Sequence, residues 1–98
     1  KTRGAGDAAA AVRRRGPPAT SLNNVGMSLE AMGDRVAGVA LKGEALEMRR
    51  RLFAGVDHPD LATSLKAVGY GLIMLGDRAA GGALVREGLE MLRRLFAW

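Results

Sequence analysis

Apolar residues recur at steps of three, four and seven along two stretches of this chain. The first carries Leu22, Val25, Leu29 and Met32, then Ala37, Leu41, Met48 and Leu52. The second carries Leu65, Val68, Leu72 and Leu75, then Ala80, Leu84, Met91 and Leu95. Those steps place side chains on one stripe of a 3.6-residue helix, whereas a strand would need alternation. The pattern predicts helices near 19–32, 35–53, 60–75 and 78–96, with no strands. Gly33-Asp34 and Gly76-Asp77 stand at the joints. Glycine there can take the left-handed C-cap conformation, and the aspartate oxygen can accept from the free amides of the next helix. So short a joint makes each pair of helices antiparallel. Pro59 is expected to open the third helix, because a proline at the first helical position gives up an amide that would be unpaired anyway.

The two stretches are copies. Residues 19–55 laid over 62–98 without gaps are identical at 23 of 37 positions, including Ala-Thr-Ser-Leu, Gly-Asp-Arg and Arg-Arg-Leu-Phe-Ala. A 43-residue period marks a supersecondary unit that cannot bury its apolar face alone and stacks on copies of itself. The chain divides accordingly into a basic segment 1–18, a first repeat 19–61 and a second repeat 62–98.

The fragments Ala-Thr-Ser-Leu-Asn-Asn-Val-Gly at 19–26, Gly33-Asp34, Ala-Leu-Glu-Met at 45–48 and Asp-His-Pro-Asp-Leu-Ala at 57–62 resemble the tetratricopeptide repeat. The resemblance is to the longer version found in kinesin light chain and many bacterial repeat proteins, and it spans about four-fifths of the chain. It implies an all-α fold, with antiparallel helical hairpins stacked as a short right-handed α-solenoid. It also implies that the first helix of each hairpin lines a concave groove for a partner peptide or protein. The residues about 100 degrees from the buried stripe would then face that groove: Thr20, Asn23, Met27 and Glu30, with Thr63, Lys66, Tyr70 and Ile73 in the second copy. Asn23 offers amide donors and an acceptor to a peptide backbone, Lys66 a cation, and Met27 and Tyr70 adaptable apolar contact. Tyr70 is the expected anchor, its competing role being a ring packed in the core.

The chain departs from the family pattern in its second helices. Lys42 and Val85 stand where a large aromatic is usual, and Arg35 and Arg78 replace a tyrosine. Gly38, Gly43, Gly81, Gly82 and Gly88 fall inside those helices. Each costs about 1 kcal/mol against alanine unless it permits a close helix approach. Alanine at Gly38 and Gly81 separates the two roles by the sign of its effect.

With 98 residues and 48% apolar content, the composition is that of one small globular domain, and no apolar run approaches a membrane span. The absence of cysteine removes disulfides and thiolate ligands, and a cytoplasmic address is the default expectation. A first residue that is lysine rather than methionine suggests a fragment or a processed product. Residues 1–18 can be read as the end of a degraded preceding helix, from Asp7 through Ala8–Ala11 to Arg13–Arg15, or as a frayed basic tail.

Candidate chemistry is thin. His58 is the only histidine, with no cysteine or second histidine to complete a metal site or a catalytic group, so loop structure is expected of it. Glu47 and Glu90 are expected to pair with Arg51 and Arg94 one turn on. Neither catalytic residues nor cofactors are assigned, and the chain reads as a non-catalytic binding scaffold. The net charge of +5 gathers in arginine clusters at 13–15, 49–51 and 93–94. Two of them end helices, where cations complement the dipole. A basic module for nucleic acid or acidic surfaces is a lesser alternative, since no aromatic interleaves with the arginines to stack on bases. Self-association through the open repeat ends is the other alternative. Two repeats without a polar cap fall short of the usual three, and the chain finishes in Leu95-Phe96-Ala97-Trp98, so a homo-oligomer is expected through Leu95, Phe96 and Trp98.

Overall fold

The computed structural model describes residues 18–97. Residues 1–17 of the basic segment, with the helix or tail expected there, and Trp98 therefore lie outside the described residues. Four α-helices and no strands occur among them: α1 Pro18–Ala31, α2 Arg35–Leu52, α3 Pro59–Met74 and α4 Arg78–Phe96. Each boundary falls within a residue of the expected one, because the terminating signals act locally. Gly33 and Gly76 adopt φ of 95° and 101°, the left-handed conformation that ends α1 and α3. One residue later, Asp34 Oδ1 accepts from the Ala37 amide at 3.2 Å and Asp77 Oδ1 from the Ala80 amide at 3.1 Å. These aspartates cap α2 and α4. Pro59 opens α3, and His58 caps it.

Helices pack chiefly on their neighbours in the chain: α1 on α2, α2 on α3, and α3 on α4. Within each hairpin the two backbones come close at a glycine pair. A Cβ on Gly26 would lie 2.7 Å from the Gly38 carbonyl oxygen, and one on Gly38 would lie 2.6 Å from the Gly26 carbonyl oxygen. Gly69 and Gly81 repeat the arrangement, with a Gly69 Cβ falling 2.7 Å from the Gly81 carbonyl oxygen. Gly38 and Gly81 are thus contact glycines. Gly43 and Gly82 have open space where a Cβ would stand.

The core gathers Leu46 of α2, Leu61, Ala62, Leu65 and Val68 of α3, and Met91 of α4. Phe53, Leu72, Leu84, Leu92 and Leu95 pack against it. Part of the expected apolar stripe is overturned: Val25, Met32, Leu52 and Leu75 are exposed. The reason is topological. α2 lies between two neighbours and buries a second face, through Val39 and Leu46, that a single-stripe reading does not see. α1 packs closely on one described helix, which leaves Val25 outside, and Met32, Leu52 and Leu75 stand at the C-terminal ends of α1, α2 and α3.

Candidate functional site

The residues expected to form the first-helix face fall on α1 and α3. Met27 and Tyr70 occupy equivalent positions of the two repeats and are 53% and 56% exposed. The exposed ring removes the alternative in which Tyr70 packs in the core. Asn23 and Lys66, one turn earlier, are half-buried. Asn23 Nδ2 donates to Met27 Sδ at 3.7 Å, while its Oδ1 is buried without a hydrogen-bond partner. The Lys66 stem lies against Gly88 of α4, where an added Cβ would come within 3.0 Å of Lys66 Cγ.

Thr20 has an additional structural task. Its Oγ1 accepts from Arg49 Nη2 at 3.1 Å. The Arg49 guanidinium also donates through Nη1 to Ser64 Oγ at 2.7 Å and to the Asp60 carbonyl oxygen at 3.2 Å. Arg49 is buried, so one side chain from α2 joins the N-terminal turns of α1 and α3. That role is invisible in the sequence, where Arg49 looks like one cation of a helix-ending cluster.

Glu30, the last member of the expected α1 face, turns away from it. Its carboxylate forms an ion pair with the Lys42 ammonium, and both side chains are largely buried at the α1–α2 contact. Ile73, the equivalent residue of α3, lies over Gly81.

Among the described residues, three of the clustered arginines are held by partners within the chain. Beyond Arg49, Arg50 donates twice to Glu87 of α4, at 2.9 and 3.1 Å. Arg94 donates twice to Asp57 in the α2–α3 linker, at 2.8 and 2.9 Å. The partner of Arg94 is therefore Asp57, 37 residues away, and not Glu90 one turn back. These hydrogen bonds hold the Asp57 carboxyl below its ordinary pKa.

His58 is a structural residue here. Its Nδ1 accepts from the Asp60 amide at 3.0 Å, and its ring stacks on Phe53 with centroids 3.8 Å apart. No group of three or more metal-ligating side chains occurs among the described residues. Nor is any of their helices long and apolar enough to cross a membrane.

On the other side of the linker lies a cavity of about 360 Å³, lined by Arg50, Phe53, Val56, Leu61, Glu87 and Met91 among others. Sequence reasoning did not find it, since it exists only where the end of α2, the linker, α3 and α4 meet. Of the expected self-association residues, Leu95 packs against the core and Phe96 is exposed. No family model, curated protein or solved structure matches the chain.

Proposed function

We infer that this chain is a non-catalytic interaction scaffold of two tetratricopeptide-like hairpins, taking an extended peptide or protein segment along α1 and α3. One observation carries the reading: Met27 and Tyr70, related by the 43-residue period, are both about half exposed on the first helices of their hairpins. Two large adaptable side chains kept in solvent at the same register suit contact with successive apolar side chains of a ligand. Lys66 beside them would favour a ligand carrying a carboxylate. An unstructured ligand must be ordered on binding, so micromolar affinity is the expected range.

The test is selection from a displayed random-peptide library, followed by titration of the selected peptides against Met27→Ala and Tyr70→Ala. The reading expects peptides that bind the native chain and weaken at least about tenfold with each variant, a loss of about 1.4 kcal/mol. Peptides that bind all three proteins alike would remove α1 and α3 as the binding face.

A further inference from the structure

We propose that the chain self-associates head to tail, with the outer face of α4 in one copy packing on the outer face of α1 in the next. The contact would repeat the α2–α3 interface already present inside the chain. Residues 43 positions apart are equivalent, so the face that α2 turns toward α3 reappears on α4, and the face that α3 turns toward α2 reappears on α1. Inside the chain these faces are covered: Leu46 is 4% and Val68 6% exposed. Their equivalents are open, Leu89 at 36% and Val25 at 50%. The same apolar residue types are thus buried in one copy of the interface and solvated in the other.

Two further pairs carry over. Between the hairpins, Val39 of α2 fills the space over Gly71 of α3, where a Cβ would come within 2.6 Å of Val39 Cγ2. The equivalent pair is Gly82 and Ser28. The small partner has changed sides, and Gly82 has open space above it. One close approach is thereby kept with its bulk reversed. The Arg50–Glu87 ion pair, which joins the two hairpins, becomes Arg93 of one copy and Glu44 of the next, with both charges retained. Arg49, meanwhile, is replaced by the half-buried Leu92, which puts hydrocarbon where the inner version carries a cation. A second copy of this chain is the occupant that brings each of these complements at once.

Such a contact is heterologous: each copy uses two different faces, and addition continues unless the rotation closes a ring. The open-ended form makes a distinctive prediction for blocked variants. Val25→Glu spoils only the α1 face, and Leu89→Glu only the α4 face. Neither protein can then associate with itself, yet a mixture has one good junction.

Sedimentation velocity from low to high micromolar concentration is the test. The native chain should show an average mass that climbs past two chains, both variants should stay monomeric, and their equimolar mixture should stop at two chains. A native chain that remains monomeric overturns the proposal. So does a single variant that still dimerises, the signature of a two-fold contact, or a mixture that stays monomeric. Circular dichroism of each variant checks that it is folded. Should either not be, Arg93→Glu and Glu44→Arg take their place as surface changes. Each should weaken assembly about fivefold, and mixing them should restore it, because every junction then pairs opposite charges. Failure of mixing to restore it contradicts the proposal equally.

Discussion

Glu30 and Lys42 form a largely buried ion pair across the α1–α2 contact, at the two positions that become Ile73 and Val85 in the second hairpin. The geometry is common to both. Glu30 lies over Gly38 as Ile73 lies over Gly81, and Lys42 lies over Gly26 as Val85 lies over Gly69. One packing arrangement is therefore filled once with charge and once with hydrocarbon. Burying a lone charge is costly, so α1 matched with α4, or α3 with α2, in the hairpin register would strand Glu30 or Lys42 opposite an apolar residue. The pair favours the correct partnering of four similar helices.

Each member should be far less replaceable alone than together. Lys42→Val should lower stability by about 3 kcal/mol, because Glu30 is left without its cation, and Glu30→Ile should do likewise. The double variant should lie within about 1 kcal/mol of the native chain or above it. Urea denaturation of the four proteins measures the coupling directly.

The glycines should divide by sign. Gly38→Ala and Gly81→Ala insert a methyl group against a facing backbone carbonyl and should destabilise by about 1 to 3 kcal/mol. Gly43→Ala meets open space in a helix interior and should stabilise by about 1 kcal/mol. Thermal and urea melts of the three variants check both directions.

Arg49 joins the N-terminal turns of α1 and α3 by three hydrogen bonds to neutral acceptors. Arg49→Met keeps most of its stem and removes those bonds, and should cost about 3 kcal/mol. Thr20→Ala removes one acceptor of three and should cost about 1 kcal/mol. Urea melts of both variants separate the clamp from a surface arginine, whose loss would cost next to nothing.

Most of the fold was legible because it is written in local chemistry. Gly33, Asp34, Gly76, Asp77 and Pro59 act within a few residues of themselves, and the helix ends followed. What sequence reasoning missed is non-local. The partner of Lys42 is 12 residues away on another helix, and that of Arg94 is 37 away. Neither distance is a helical step, so a search along one helix face favoured Glu90 for Arg94. Val25 and Val68 are identical in type and register, yet only one is buried. Periodicity identifies an apolar stripe but not whether a neighbour covers it.

The Asp57–Arg94 contact gives a pH dependence with a defined sign. The folded pKa of Asp57 is lowered, first by the hydrogen bonds from Arg94, below its ordinary value of 3.8. A carboxyl with a depressed folded pKa contributes its full stability above the unfolded value and loses it as pH falls through the folded one. The melting temperature should therefore fall in acid, from about pH 4 downward, and Asp57→Asn should flatten that part of the profile. An unchanged acid limb in the variant would show the pair to be energetically silent.

The claim that function resides on the first helices is tested most directly by nitrogen-15 NMR of the labelled chain, titrated with a selected peptide. The account predicts that shifts cluster at Asn23, Met27, Lys66 and Tyr70 and along α1 and α3 between them. Shifts confined instead to Arg50, Phe53, Val56 and Glu87, around the linker cavity, with Met27 and Tyr70 unmoved, would contradict it.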